Sequence, residues 1–322
     1  MRARLKKTAK RVASRIPGLG GLVQDRDALR EQLDQLRRAA DDTRQFVPPG
    51  HFYSPIPSLS DVRRSEDRLF APPPRQLPGI DVREEQQLAL LRSFQPFYDE
   101  QPFPTNRAPS RRYFFENDAY SYSDALCLYS MIRHLRPRRI IEVGSGYSSS
   151  VMLDTRELFF GGGDIDCTFI EPSPELLRSL LKPGDAESVS ILPKPVQTVE
   201  LGRFEELEAN DILFIDSTHV SRIGSDVNYL LFEVLPRLAA GVYVHFHDIF
   251  YPFEYPRHWI YEGRAWTEVY LLRCMLTHSA AWEVTLFNTF LAHFHRSYFE
   301  QHMPLCLKNT GGSIWIRRRS VT

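Results

Sequence analysis

The sequence predicts an α/β protein built on a doubly wound, mostly parallel sheet. Between residues 123 and 246, short apolar runs alternate with segments of helical periodicity, which is the pattern of strands covered by helices on both faces. The first run ends in a glycine turn, RRIIEVGSGYSSS, and later runs end on acidic residues. Because open parallel sheets bind ligands at the carboxyl ends of their strands, these endings mark the predicted site.

The predicted elements follow one another regularly along the chain. A helix that begins near Ser123 leads into the first strand, and Trp282 opens the first of two further strands that could pair as an antiparallel edge. The predicted strands span residues 140–143, 166–170, 188–192, 211–215, 241–246, 282–287 and 313–316. The predicted helices span residues 123–135, 174–181, 227–238 and 267–277, with one more from residue 148.

Composition indicates a globular protein with a sizeable core. The 322 residues carry no formal net charge, 25% are charged and 43% are hydrophobic, so nothing global points to a nucleic-acid partner. The four cysteines are far apart in sequence, which indicates reduced thiols in a cytoplasmic protein. No apolar run approaches the roughly 20 residues that a membrane span needs, and the first residues lack a signal-peptide core.

Two helical segments are predicted at the N-terminus. Residues 1–20 carry seven Lys or Arg and no acid, and Leu5, Ala9 and Val12 lie on one helical face. This segment is either a weak peripheral contact with anionic lipid or a solvated extension. In residues 22–45 a short heptad pattern of leucines could pair two subunits into a homodimer or pack on its own domain. Its leucines are Leu22, Leu29, Leu33 and Leu36.

Residues 46–112 are rich in proline, which breaks regular structure, yet they also hold many aromatic residues. A disordered linker seldom carries so many rings, so we expect an ordered wrap on the catalytic domain, with one helix over residues 83–95. The predicted organisation is therefore a helical extension at 1–45, a Pro-rich wrap at 46–112 and a catalytic domain at 113–322.

The glycine turn predicts a nucleotide-like ligand. Gly144 and Gly146 permit a tight turn and close approach of a ligand, and Ser148 can cap the following helix. Nicotinamide, flavin and S-adenosylmethionine (SAM) proteins share such turns. Ser149 stands where the nicotinamide fingerprint has a third glycine. Glu171, 27 residues after Gly144, closes the second strand, where a carboxylate can accept hydrogen bonds from ribose hydroxyls.

Acid and histidine side chains follow the fourth and fifth strands. Asp216 ends the fourth strand, and His219, three residues later, has a side chain suited to accept a proton. On the fifth strand His245 and His247 point to one face, and Asp248 follows at the strand end. These groups form either a divalent-metal site or a hydrogen-bonded acid–base cluster, and both alternatives stay open.

The segments IEVGSGYSS, FIEPS, IDSTH and HFHD, in this order and spacing, resemble a class I SAM-dependent methyltransferase. They are similar within that class to bacterial O-methyltransferases that act on sugars and small molecules of polysaccharide and natural-product pathways. The resemblance covers residues 113–317 and implies a seven-stranded Rossmann-like sheet whose last strand is antiparallel. In related metal-dependent enzymes the fifth strand ends in Asp-Asn, and here Ile249 stands in place of the Asn.

The resemblance implies SAM as cofactor and assigns residues to it. The predicted cofactor-binding residues are Glu142, Gly144, Ser145, Gly146, Ser148, Glu171, Gln197 (or Val196) and Asp216. The predicted catalytic residues are His219, as general base, with Asp216 and Asp248. The candidate ligands of a divalent cation such as Mg²⁺ are Asp216, Asp248 and His247.

The predicted reaction is methylation of a hydroxyl on a sugar or a natural-product-type small molecule. The acceptor is expected on the side of the aromatic insertion after the fifth strand, with the rings of Tyr251, Tyr255, Trp259 and Trp266. Three alternatives remain at this stage: an oxidoreductase on the same fold, an iron or other metal enzyme that uses His245, His247 and Asp248, and a non-catalytic member that recruits a partner.

Overall fold

The structure is a computed structural model that describes residues 19–42 and 45–320. The chain divides into two compact units, Met1–Arg64 and Ser65–Thr322. All seven strands lie in the second unit, together with residues 65–112 of the Pro-rich segment. The predicted boundaries at residues 45 and 112 stay predictions.

A seven-stranded sheet with the order β3-β2-β1-β4-β5-β7-β6 forms the centre of the second unit. The first five strands are parallel, and β7 runs antiparallel to both β5 and β6. This confirms the predicted doubly wound sheet with an antiparallel C-terminal strand. The strands are β1 Arg139–Val143, β2 Asp166–Ile170, β3 Ser190–Leu192, β4 Ile212–Ile215, β5 Tyr243–His247, β6 Trp282–Phe287 and β7 Ser313–Arg318.

Helices cover both faces of the sheet, as its apolar strands require. Short 3-10 turns lie at Val196–Thr198, Leu235–Arg237 and Pro304–Leu307, and a π-helical turn lies at Leu230–Val234. The α-helices are α1 Leu19–Asp42, α2 Leu59–Arg64, α3 Glu66–Leu69, α4 Glu84–Ser93, α5 Gln95–Asp99, α6 Tyr122–Leu135, α7 Tyr147–Phe159, α8 Glu175–Leu180, α9 Asp185–Ser188, α10 Gly202–Glu205, α11 Asp226–Tyr229, α12 Arg257–Tyr261, α13 Glu268–Leu276, α14 Asn288–Phe294 and α15 Arg296–His302.

Two predicted elements differ from the structure for identifiable reasons. The fifth strand begins at Tyr243 because Gly241 has a φ of 90°, which places it in a turn. The helix predicted over 227–238 is instead α11 followed by a π turn and a 3-10 turn, and Pro236, which has no N–H, lies in the last of these. Helices α14 and α15, between β6 and β7, were not predicted because their aromatic-rich sequence has no clear apolar period.

A buried ion cluster fixes the end of the Pro-rich segment to helix α7. The guanidinium of Arg112, 7% exposed, lies 2.8 Å from Asp154, 2.6 Å from Glu157 and 2.6 Å from Asp185. The backbone N–H groups of Arg112 and Tyr113 donate to Asp154 as well. Since a buried charge costs free energy unless it is paired, these contacts hold the segment in one position on the sheet domain.

The N-terminal predictions are described only in part. Helix α1 is helical as predicted, and Leu29, Leu33 and Leu36 are exposed on it. The basic segment at residues 1–18 lies outside the described residues. In the described part of the chain, no helix is both long and apolar enough to cross a membrane. All four cysteines are free thiols, as predicted.

Candidate functional site

The turn after β1 requires a glycine at position 144. Gly144 has a φ of 82°, and a Cβ there would lie 1.9 Å from the carbonyl oxygen of Asp216. The N–H of Asp216 donates to Val143 over 2.8 Å, so the ends of β1 and β4 are in direct contact. Gly146 has a φ of −173° with a ψ of −119°, and a Cβ there would lie 3.1 Å from Cδ2 of Leu176. The conformational need for glycine is therefore clear at position 144, and at position 146 the space beside Leu176 is tight.

Glu142 lies beneath this turn. Its side chain is fully buried and accepts hydrogen bonds from the hydroxyls of Ser148, over 2.5 Å, and Ser149. Ser149 in turn accepts the N–H of Gly146 over 3.0 Å. Burial raises the pKa of Glu142 to about 8, against the lowering effect of the two serines. Glu142 and Ser148 thus hold the turn and the start of α7 together.

A cavity of about 610 Å³ opens over the carboxyl ends of β1, β2 and β4. Four residues predicted to bind the cofactor line it: Gly144, Glu171, Gln197 and Asp216, together with Val196. The other four, Glu142, Ser145, Gly146 and Ser148, are buried behind the turn and do not line it.

Glu171 and Gln197 are held by hydrogen bonds at the edge of the cavity. The carboxylate of Glu171 accepts the N–H of Ser173 over 2.8 Å and that of Ser145 over 3.4 Å. The side-chain amide of Gln197 donates to the carbonyl of Gly224 over 2.9 Å. The polar groups of both residues are therefore pre-oriented before any ligand binds.

The loop that carries His219 forms another wall of the cavity, and of its residues only Asp216 and His219 were predicted as site residues. Residues 216–225 connect β4 to α11. Asp226 at the start of α11 lines the cavity, as do six residues of this loop that sequence analysis did not predict: Ser217, Thr218, Arg222, Ile223, Gly224 and Ser225. Asp226 accepts both the N–H and the hydroxyl of Thr218 over 2.7 Å. The Ser-Asp pair at the start of α11 is a helix-capping signal that could have located the end of this loop.

His219 sits among three carboxylates. Its Nδ1 lies 2.8 Å from Glu268 Oε2, and its Nε2 lies 3.4 Å from Asp216 Oδ1 and 3.5 Å from Asp248 Oδ2. Burial acts to lower the pKa of His219, but its hydrogen bonds to Asp216 and Glu268 outweigh that effect and raise the pKa to about 10. A raised pKa favours the imidazolium form of the ring, which has no free lone pair. This arrangement does not support the predicted role of His219 as general base.

The backbone is strained at two of these residues. His219 and Asp248 have φ values of 61° and 56°, a region that non-glycine residues seldom adopt. The carbonyl of His219 accepts the N–H groups of Thr267, over 2.9 Å, and Glu268, over 3.0 Å, at the start of α13. Such conformations persist where the surroundings enforce them, and they concentrate at functional sites.

Glu268 is a site residue that sequence analysis missed. It is 1% exposed, and its second carboxylate oxygen accepts the hydroxyl of Ser217 over 2.9 Å. Glu268 lies 49 residues after His219, and in sequence it resembles an ordinary acid in the first turn of a helix. Only its complete burial sets it apart.

The candidate metal ligands are close together without forming a recognisable ion site. Nε2 of His247 lies 3.5 Å from Asp248 Oδ1, and the imidazole of His219 stands between Asp216 and Asp248. Within residues 19–42 and 45–320, no three His, Cys, Asp or Glu side chains are grouped to hold a metal ion. The predicted cation therefore stays a prediction.

His245 belongs to the core. It is fully buried, its ring stacks on Phe214 at 4.0 Å, and burial lowers its pKa well below the ordinary value. Neither ring nitrogen has a hydrogen-bond partner among the described residues. The prediction that His245 and His247 point to the same face is confirmed, since their rings stack with a centroid distance of 6.0 Å. His245, however, is a neutral core residue that packs against its neighbours.

The four aromatic residues expected beside the acceptor separate into two groups. Trp266 lies against the ring of His219, with a centroid distance of 4.4 Å, and Trp259 lies 5.2 Å from Trp266. Both tryptophans are half-buried. Tyr251 and Tyr255 are 8% and 2% exposed and pack in the core. The tryptophans are thus on the side of His219 and the tyrosines in the core, and the position of the acceptor stays a prediction.

Comparisons with known proteins find a family model and a relative that are similar to this chain in sequence. A family model described as a methyltransferase domain matches residues 141–249. A protein of Archaeoglobus fulgidus described as uncharacterized is 38% identical over 173 residues, which cover 52% of this chain and 76% of that protein.

Solved structures of similar overall arrangement are more distant. An S-adenosylhomocysteine-bound methyltransferase of Podospora anserina is 15% identical, with a TM-score of 0.39 over 86% of this chain and 100% of that one. A putative O-methyltransferase of Klebsiella pneumoniae is 17% identical, with a TM-score of 0.39 over 82% and 97%. At these values the two structures support no inference about the chemistry of this chain.

Proposed function

We propose that this chain, which matches a methyltransferase-domain model over residues 141–249, is a class I SAM-dependent methyltransferase that binds SAM in the cavity over Gly144 and methylates a hydroxyl of a glycan or small molecule. One observation carries the proposal. The turn at Gly144 touches the backbone of Asp216, so the cofactor cavity and the cluster around His219 share a wall. A methyl donor and a hydroxyl would meet at that wall.

The cavity has the size and polar groups that SAM needs. Its volume of about 610 Å³ falls within the roughly 300–1,000 Å³ usual for small-molecule sites. The carboxylate of Glu171 would accept hydrogen bonds from the ribose hydroxyls, and Val196 with Gln197 would contact the adenine. The glycine turn gives the methionine part close access to the backbone.

The chemistry that SAM supplies is an activated methyl group on a sulfonium. In the transfer, the acceptor oxygen forms a bond to the methyl carbon, the carbon–sulfur bond breaks, and the hydroxyl proton leaves. We assign the proton to Asp248, because burial raises the pKa of this carboxyl above its ordinary value. His219, held as an imidazolium, balances the charges of Asp216 and Asp248 and keeps both oriented. Alignment of donor and acceptor is the main contribution of the protein.

A divalent cation would need a different arrangement of the same groups. To bind Mg²⁺ through Asp216, Asp248 and His247, the imidazolium of His219 would have to leave the space between the two carboxylates. No step of the proposed reaction is therefore assigned to a metal. Methyl transfer measured after EDTA treatment, with and without added Mg²⁺, tests whether a cation is needed.

Titration calorimetry tests the cofactor. We expect purified protein to bind SAM and S-adenosylhomocysteine, and the Glu171→Gln variant to bind SAM about tenfold more weakly, because it loses a charged hydrogen-bond acceptor. Glu175→Gln, an exposed change on α8, is the matched control. Binding of NADH without binding of SAM would overturn the proposal in favour of an oxidoreductase.

Transfer of label tests the acceptor. The protein is incubated with SAM labelled in its methyl group and with panels of monosaccharides, oligosaccharides and phenols. We expect label in a hydroxyl acceptor as a methyl ether, which survives mild base, whereas a methyl ester releases its label. Base-labile product, or label on nitrogen, would contradict O-methylation of a hydroxyl while leaving the SAM-binding result intact.

A further inference from the structure

The first compact unit displays three large aromatic rings to solvent. Phe46 is 90% exposed, Phe52 is 80% exposed and Tyr53 is 66% exposed. The rings touch each other, since the centroids of Phe52 and Tyr53 are 4.0 Å apart and those of Phe46 and Tyr53 are 6.3 Å apart. His51 stacks on Phe52 at 4.5 Å. We name Phe46, His51, Phe52 and Tyr53 the aromatic tip.

A hydrogen-bonded turn holds the aromatic tip in place. The N–H of Gly50 donates to Ile56 over 3.0 Å, and the N–H of Ser54 donates to His51 over 2.7 Å. Gly50 has a φ of 82°, which the turn requires. Exposed rings cost free energy in water, and an ordered turn that clusters them marks a surface with a partner.

The charge of the first unit identifies the kind of partner. Met1–Arg64 holds fourteen Lys and Arg against seven Asp and Glu, a net charge of +7. The whole chain has no net charge, so Ser65–Thr322 carries −7. The two opposite charges cancel in the overall composition. A net positive charge on the first unit favours its binding to an anionic surface.

Charge and aromatic residues are segregated along this unit. Residues 45–60, which contain the aromatic tip, include no charged residue, while seven of the basic residues lie within the first fifteen positions. Single-stranded nucleic acid is bound by aromatic residues that stand in a basic groove. A bilayer surface instead receives rings at the level of the lipid headgroups and basic side chains at the phosphates. The segregated arrangement fits the bilayer.

We propose that the first unit docks the protein on an anionic membrane surface, with the aromatic tip in the headgroup region and the net positive charge of the unit attracting it to lipid phosphates. The docking is peripheral, and it places the methyltransferase unit next to the lipid surface. The proposal does not depend on the identity of the methyl acceptor.

Vesicle flotation of the full-length protein tests the proposal. We expect binding to vesicles of phosphatidylcholine with phosphatidylglycerol, and little binding to phosphatidylcholine alone. The double variant Phe46→Ser, Phe52→Ser should partition about tenfold less, because it removes two apolar anchors. Phe232→Ser, which removes a 57% exposed ring from the second unit, is the matched control and should bind like the wild type.

A second variant tests the charge. Replacement of Lys6, Lys7, Lys10 and Arg11 by Gln should lower binding at 0.15 M salt and make it less sensitive to salt. SAM titration of every variant checks that the second unit is unchanged.

Four results would overturn the proposal. One is no flotation with anionic vesicles at 0.15 M salt. Another is equal binding by the aromatic-tip variant and the wild type. The third is a change in the molar mass of the aromatic-tip variant, measured by light scattering, while its vesicle binding stays the same. That result would mean that the tip contacts a second copy of the chain. Stronger competition by single-stranded DNA than by vesicles, lost in the aromatic-tip variant, would assign it to nucleic acid instead.

Discussion

At the scale of single residues, the chemistry of His219 is decided by what surrounds it. An imidazole with an ordinary pKa could take a proton at neutral pH, which is what the sequence indicates. Glu268 engages Nδ1, while Asp216 and Asp248 face Nε2, so the ring is held charged. The side chain of Glu268 forms hydrogen bonds with Ser217 and His219, and with none of the four cavity residues that were predicted to bind SAM. It therefore acts through His219 as a positioning residue.

We predict that Glu268→Gln lowers kcat about 10–100-fold with little change in the affinity for SAM, because an outer partner that orients a site residue has effects of this size. Calorimetry measures the SAM affinity, and label transfer to the acceptor measures kcat. Glu262→Gln, an exposed change in the same insertion, is the control. An unchanged kcat in the Glu268 variant would remove the positioning role.

Gly144 is the second residue whose identity the site depends on. We predict that Gly144→Ala destabilises the fold by at least about 2 kcal/mol, for two reasons. Alanine at this position would have to adopt a left-handed backbone conformation, and its methyl group would clash with the carbonyl oxygen of Asp216. Binding of SAM should be lost with it. Thermal unfolding and calorimetry measure the two effects. Gly163→Ala is the control, because no atom lies within 4 Å of its Cβ position; equal stability of the two variants would contradict the prediction.

At the scale of elements, the junction of β1 and α7 depends on a buried acid. Glu142 is fully buried, and its ordinary pKa of 4.5 is raised to about 8. The folded protein therefore keeps a proton that the unfolded chain releases, so this group's contribution to stability falls as pH rises from about 4.5 to about 8.

We predict that Glu142→Gln, which does not titrate, gains stability relative to the wild type over that pH range, by up to about 5 kcal/mol. The variant also loses one hydrogen-bond acceptor for the serine hydroxyls, and this loss lowers its free energy of unfolding by the same amount at every pH. Urea unfolding at pH 5, 7 and 9 measures the difference. Stability curves that run parallel across these pH values would show that Glu142 is not protonated in the fold.

At the scale of the whole molecule, helix α1 carries exposed leucines through which two copies of the chain would pair. Leu29, Leu33 and Leu36 are 64%, 46% and 68% exposed, which leaves an apolar seam on a helix of 24 residues. We predict a concentration-dependent homodimer through this seam, and a lower dimer affinity in the double variant Leu29→Gln, Leu36→Gln. Analytical ultracentrifugation measures it, with Arg30→Gln on the same helix as control. A monomer at all concentrations, or the same dimer affinity in both variants, would refute it.

Much of the sheet is predictable from local sequence. Strand β2 begins and ends at the predicted residues, as does β6. The sequence of β2 is a short, mostly apolar run, and β6 alternates buried and half-buried positions; both patterns are typical of strands. The start of β5 differs from the predicted residue because the positive φ of Gly241 places that residue in a turn before the strand. Helices α14 and α15 were missed because their rings face the core without a regular period.

The sequence by itself determined the doubly wound sheet, the glycine turn, the acids that end β2 and β4, and the resemblance to SAM-dependent methyltransferases, since each is a local pattern. Only the tertiary structure decided that Glu268 joins His219 across 49 residues, and that His245 packs in the core while Asp248 faces the site. The physical reason is that the pKa and hydrogen-bond partners of a side chain depend on burial and on neighbours distant in sequence, which folding alone brings together.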